Sequence, residues 1–195
     1  MKGLLLLLSA LVLLPACRQA YSPKPRGYFK ITFPERSYAE YRDSLCPFTF
    51  TYPAYGVINR DEVFLDTVPD NPCWLNLTFP ALNGNLHLSY KVMKGPADLD
   101  RLMLDAHRLT YKHVIKAEYI EESYIRNAHG VGGIWYDVGG NAASAVQFFL
   151  TDSNRHFLRG ALYFYNIPNA DSIAPVLQFL RPDLMKLVES FQWMP

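Results

Sequence analysis

Apolar and polar residues alternate in short runs along most of the chain, and one long stretch follows a helical period instead. Phe29-Lys30-Ile31-Thr32-Phe33 alternates before Pro34, and Phe48-Thr49-Phe50-Thr51-Tyr52 alternates before Pro53, so each predicts a short strand. Leu75–Phe79 and Leu86–Val92 alternate more cleanly and are joined through Asn83-Gly84, which predicts an antiparallel hairpin with a longer loop. Four more strands are predicted over Tyr119–Arg126, Gly132–Val138, Ser144–Thr151 and His156–Tyr165. Between the two groups, Gly95-Pro96-Ala97-Asp98 supplies a first-turn proline and an acid suited to a helix N-terminus. Leu99, Leu102, Met103, Ala106, Leu109 and His113 then recur at helical spacing, the mark of an amphipathic helix lying on a sheet.

The last two strands form a hairpin if Ser153-Asn154 is its tight turn, pairing Asp152 with Arg155 and Thr151 with His156. That register places Val146, Phe148, Leu150 and Phe157 on one face, and Phe149, Leu158 and Leu162 on the other. Both faces are apolar, so the hairpin is expected at the centre of a sheet covered on both sides. A helix is predicted from Asp171-Ser172, with a break where Arg181 precedes Pro182, a restart at Pro182-Asp183 and an end near Ser190–Trp193. The sum is an α+β fold: an antiparallel sheet of about seven strands with helices on both faces. The opening Phe48-Thr-Phe-Thr-Tyr52-Pro53-Ala-Tyr55 and the closing helix at Ser190-Phe191 resemble the Mog1/PsbP-like sandwich.

Composition changes this picture little: of 195 residues, 50% are hydrophobic and 14% aromatic, which excludes a disordered chain and calls for a large aromatic core. Lys and Arg nearly balance Asp and Glu, so no electrostatic case for a nucleic-acid partner can be made. The N-terminus is more telling. Lys2 precedes an apolar run from Gly3 to Leu14, shorter than a membrane span and suited to a secretory signal. Leu14-Pro15-Ala16-Cys17 resembles the bacterial lipoprotein signal, which implies cleavage after Ala16 and acylation of the Cys17 thiol. The expected organisation is a signal peptide over 1–16, a proline-containing lipidated tether over 17–27 and one domain over 28–195. No aspartate or acidic run follows Cys17, which by analogy with other lipoproteins points to the outer membrane, with the domain facing the periplasm. In that oxidising compartment the remaining cysteines, Cys46 and Cys73, are an even pair, expected as a disulfide rather than two separately buried thiols.

Catalytic signatures are sparse. The five histidines form neither HExxH nor an i, i+4 pair, no GxSxG elbow occurs, and neither Cys46 nor Cys73 has a CxxC or neighbouring histidine partner, so no metal is implied. Gly130-Val131-Gly132-Gly133 reads as a turn and strand start rather than a phosphate loop. The most polar strand region gathers Gln147, Thr151, Asp152, Ser153, His156 and Arg159. An arginine on a buried hairpin must find a carboxylate or reach the sheet rim. Gln147, His156 and Arg159 are therefore a candidate partner or ligand site, beside the plainer reading of a structural polar network.

Several stretches, taken in order, resemble one family. They are Pro23-Lys-Pro-Arg-Gly-Tyr28-Phe-Lys-Ile31, Cys73-Trp-Leu-Asn-Leu, Leu88-Ser-Tyr-Lys91, Lys112-His113 with Lys116-Ala117, Gln147-Phe-Phe-Leu-Thr-Asp-Ser153, His156-Phe-Leu-Arg-Gly-Ala-Leu-Tyr-Phe164 and Pro168-Asn-Ala-Asp171-Ser172. Together they resemble the gliding-motility lipoprotein GldD of Bacteroidota. The resemblance implies an envelope lipoprotein supporting gliding and the type IX secretion machinery, whose partners are membrane lipid, through the acyl anchor, and other gliding or secretion proteins of the envelope. It implies no enzyme activity and no cofactor. Three Asp-Ser/Thr-apolar triplets, at Ser44, Thr67 and Ser172, resemble the periplasmic O-glycosylation signal of the same phylum; Ser172 doubles as a helix N-cap residue. The competing function is a periplasmic ligand- or cell-wall-binding domain with weak hydrolase activity, using Gln147, His156 and Arg159.

Overall fold

The structure is a computed structural model that describes residues 30–60 and 69–195. The signal segment 1–16, the tether 17–27, Cys17 and Thr67 lie outside the described residues. Ile31–Pro195 forms one compact unit. Its strands are β1 (Tyr38–Arg42), β2 (Phe48–Pro53), β3 (Val57–Arg60), β4 (Leu75–Phe79) and β5 (Gly84–Val92), then β6 (Ala117–Arg126), β7 (Gly132–Gly140), β8 (Ser144–Thr151), β9 (His156–Phe164) and β10 (Gln192–Trp193). Two helices, α1 (Pro96–Tyr111) and α2 (Ala170–Ser190), complete the α+β fold, with a 3₁₀ turn at Lys112–Ile115 following α1.

Seven strands make one antiparallel sheet in the order β3-β4-β5-β9-β8-β7-β6. The chain reaches the far edge through α1, then returns strand by strand until β9 closes against β5. The central hairpin β8–β9 is buried on both sides, as its doubly apolar pattern predicts. One face meets α2 through Leu180, Leu184, Leu187 and Val188, packed on Leu86, Leu88, Phe148, Leu150, Leu158 and Leu162. The other face meets α1 through Ala106, Leu99, Leu102 and Met103, packed on Tyr136, Phe149 and Phe157. Gly160 is required by this packing: the Phe148 ring lies over it from the neighbouring strand, where a Cβ would collide with the ring.

Three expectations from the pattern are corrected. The alternation at Phe29–Phe33 does not make a strand over its described part; residues 30–37 are irregular, and Phe33 stacks on Phe179 of α2 with ring centroids 4.5 Å apart. Its apolar residues cover a helix instead of joining a sheet, as Pro34 and the lack of a strand partner would favour. Second, β2 leaves the main sheet and pairs with β1 and β10 in a smaller three-stranded sheet, while Val57–Arg60, too short and polar to stand out, takes an edge of the larger one.

Third, α2 runs unbroken from Ala170 to Ser190 with Pro175 and Pro182 inside it. Pro182 has no N–H to return to the preceding turn, which ordinarily breaks a helix. Here Arg36 donates to the Phe179 carbonyl at 2.7 Å, and its guanidinium lies 4.5 Å from the centre of the Phe179 ring. Asp183 follows directly, fully buried, and accepts hydrogen bonds from Tyr38 at 2.6 Å and Tyr55 at 2.5 Å, with Arg36 3.3 Å away. Tertiary partners thus hold the turn that the proline weakens. The N-cap is Asn169, whose side chain accepts from the Ser172 N–H at 3.0 Å, so Ser172 sits inside the first turn and Asp171 faces the helix dipole from it.

Candidate functional site

The candidate residues hang on the β8–β9 turn. Asp152 Oδ1 accepts from the backbone N–H groups of Asn154, Arg155 and His156 at 2.9, 2.9 and 2.8 Å. Thr151 Oγ1 accepts from Ser153 N–H at 2.9 Å and donates to the His156 carbonyl at 2.8 Å, while Ser153 takes a left-handed conformation at φ 61°. Burial pushes the Asp152 carboxyl up, but the three N–H donors, that of His156 foremost, outweigh it and hold the pKa below its ordinary value. This side-chain nest closes a three-residue loop, Ser153-Asn154-Arg155, where the sequence suggested two. The register moves by one residue: Thr151 pairs with Phe157 and Phe149 with Arg159, and Phe148 faces Gly160.

A one-residue slip exchanges the faces of a whole strand. Phe157 therefore joins the α1 face and Leu158 the α2 face, the reverse of the expected assignment. The candidate trio is divided in any register, because His156 and Arg159 stand three apart on one strand and face opposite sides; the slip decides that Gln147 joins Arg159 rather than His156. Gln147 and Arg159 come together under α1, where an Arg159 Nη2 N–H donates to Gln147 Oε1. Thr110 of α1 donates to the same Gln147 oxygen at 3.2 Å. His156 points to the opposite face, hydrogen-bonded through Nδ1 to the Tyr90 hydroxyl at 2.7 Å and stacked on Trp193 at 5.1 Å. A single site using all three side chains is not what this sheet presents.

The Gln147–Arg159 cluster is electrically incomplete. Gln147 is 1% exposed and its Nε2 has no hydrogen-bond partner, nor has the Arg159 Nε. No ion pair to Arg159 occurs among the described residues; Gln147 and the hydroxyls of Tyr163 and Tyr136 surround it. Burial lowers the Arg159 pKa from its ordinary value, offset in part by those tyrosines. An arginine so placed stays charged. It also reaches His113, whose pKa is lowered by burial first and by the Arg159 charge second. His113 in turn lines a cavity of about 450 Å³ with Lys112, Lys116, Asn141, Ile167 and Pro168, at the end of the sheet where α1 stops. The chemistry available there is donation and positive charge, fit for holding an oxygen-rich or anionic group.

The other candidates sit elsewhere. Cys46 and Cys73 are disulfide-bonded, both 2% exposed, with Cα atoms 5.5 Å apart, and cross-link the loop before β2 to the start of β4. Ser44 is exposed in the β1–β2 turn, and Ser172 is exposed on the first turn of α2. Sequence reasoning missed Asp183 and its partners, although a signal existed: Asp183 falls on the apolar stripe Leu180, Leu184, Leu187, where an acid must be paired. Among the described residues no three His, Cys, Asp or Glu side chains gather as a metal site, and no helix is long and apolar enough to cross a membrane.

These features define the class, an α+β sandwich with a cross-linked, aromatic core on one face and a cationic polar cluster on the other. The family model described as gliding motility lipoprotein GldD matches residues 18–193. The chain belongs to the GldD family of gliding motility lipoproteins. None of the curated proteins matches it. Among solved structures it is similar to the solution structure of cyanobacterial PsbP (CyanoP) from Synechocystis sp. PCC 6803, at 12% identity and a TM-score of 0.49, over 82% of this chain and 94% of that one.

Proposed function

We infer that the chain is a non-catalytic envelope lipoprotein that supports gliding motility and the type IX secretion machinery by binding other envelope proteins. Family membership over residues 18–193 is the observation that carries this reading. Residues 1–16 direct export, Cys17 carries the fatty acids, 17–27 tether, and 28–195 form the interacting domain at the periplasmic side of the outer membrane. Two or more acyl chains on Cys17 are enough for stable anchoring. Ser44, Thr67 and Ser172 are the positions at which a glycan would be carried, the first two favoured because Ser172 belongs to a helix end.

Deleting the gene and restoring either the native chain or Cys17→Ser tests the reading. The native chain is expected to restore surface spreading and type IX cargo secretion; the variant, released from the membrane fraction, is expected to restore neither. Affinity capture of the native chain should return components of the secretion or motility machinery. Full function of Cys17→Ser, or capture of peptidoglycan fragments without a protein partner, overturns it. Intact-mass measurement of the native protein decides the glycan: no added hexose mass removes it.

A further inference from the structure

At the end of α1 the apolar and basic residues left uncovered occupy one corner. Ile115 is 86% exposed and Val114 58%, in the same 3₁₀ turn as Lys112 and His113, and Ile167 is 90% exposed on the opposite wall of the 450 Å³ cavity. Scattered single apolar side chains are ordinary on a surface; an exposed isoleucine in the wall of a lysine-lined cavity, with two more exposed apolar residues in the turn that supplies those lysines, is not. Lys112 and Lys116 are both exposed and in no ion pair among the described residues, and Arg159 adds an uncompensated charge beneath. The exposed acids nearest in sequence are Glu118, beyond Lys116, and Asp171, in the first turn of α2. Apolar tips flanked by cations suit a bilayer surface, where the tips enter the headgroup boundary and the cations meet lipid phosphate.

We propose that this corner docks on anionic phospholipid: headgroup phosphate lies against Lys112, Lys116 and the cavity between them, and Ile115 and Ile167 reach into the acyl boundary. It adds to the anchor a second, oriented contact, and it rests on the reading that acylated Cys17 keeps a bilayer at hand. The thirteen residue steps from Cys17 to Lys30 can extend over at most about 45 Å, which bounds how far from the bilayer Lys30 can lie. Docking fixes which end of the sheet faces lipid, and leaves the β6–β7 end, with its 94% exposed Tyr124, directed away.

The test uses the full acylated chain in vesicles of phosphatidylcholine alone or mixed with phosphatidylglycerol. An environment-sensitive fluorophore is placed on Ile115→Cys, on Ile167→Cys and, as a control, on Tyr124→Cys. Labels at 115 and 167 are expected to enter an apolar environment on phosphatidylglycerol vesicles and to stay aqueous on phosphatidylcholine; the label at 124 stays aqueous on both. Lys112→Glu with Lys116→Glu, both on exposed positions, should lower the docked-to-undocked ratio at least tenfold without loss of vesicle binding. Labels at 115 and 167 that remain aqueous on vesicle-bound protein overturn docking while leaving the anchor intact. If the chain does not hold to neutral vesicles, the anchor reading fails instead, and docking then stands on salt-sensitive sedimentation with phosphatidylglycerol vesicles, whose absence overturns it. A response to inorganic phosphate without any response to vesicles also overturns it, in favour of a free anion.

Discussion

The two faces of the seven-stranded sheet solve the same burial problem with different means. Under α2 the face is built from leucines and from Phe48, Phe50, Phe148 and Phe191, and its fully buried acid, Asp183, is met by two hydroxyls and a guanidinium. Under α1 the apolar cluster is smaller, and beside it Arg159 is met by neutral oxygens alone. A buried charge with a full set of partners ties elements together, whereas one lacking a counter-charge holds its site open to an anion at a cost in stability. The first face is therefore tied together by its buried charge, and the second leaves its buried charge without an ionic partner among the described residues.

The sharpest way to break this comparison is to remove each charge in turn. Asp183→Ala leaves Tyr38, Tyr55 and Arg36 without their acceptor and is expected to lower unfolding free energy by about 3–5 kcal/mol in urea titration. A loss under 1 kcal/mol would show that the network contributes little. Next in size, Cys46→Ala with Cys73→Ala opens a loop of 27 residues and should cost about 3–4 kcal/mol, with the unfolding midpoint falling to match. Asp152→Ala strips three backbone N–H groups of their acceptor at the turn between the faces; about 1–2 kcal/mol is expected from the same titration.

Arg159→Met should go the other way, leaving stability unchanged or raising it by about 1 kcal/mol, because the methionine fills the volume without a desolvated charge. Destabilisation beyond 2 kcal/mol would mean that the guanidinium is better compensated than its neutral partners suggest. The smallest effect concerns pH and sets one histidine of each face against the other. His113 and His156 both have folded pKa values below the unfolded value, chiefly through burial. The unfolded chain then binds protons first, so their contribution is full above about pH 6.5 and is lost as pH falls through that value toward the folded pKa values. His113→Gln and His156→Gln should each flatten part of the decline between pH 7.5 and 5, and the double variant most of it.

Much of the fold can be read from local pattern. The runs at Phe48–Tyr52, Leu75–Phe79, Leu86–Val92 and Ser144–Thr151 become strands, and the stripe from Leu99 to Leu109 becomes α1, because period and composition are properties of neighbouring residues. The candidate site was legible only as a list of residue types. That His156 and Arg159 face opposite sides follows from alternation along one strand, but that Gln147 meets Arg159 depends on the loop closed by Asp152, and a single-residue change in loop length is invisible to an alternating pattern with apolar residues on both faces.

The amino-acid sequence by itself determined the alternating strands, the amphipathic helix, the paired core cysteines and the family, since each depends on residues close in the chain or on their order. Tertiary structure alone decided which strands share a sheet, how β8 and β9 align, and that α2 passes through Pro182 unbroken. Those outcomes turn on hydrogen bonds and packing between segments far apart, such as Arg36 with Phe179 and Tyr55 with Asp183, whose free energy no local preference contains.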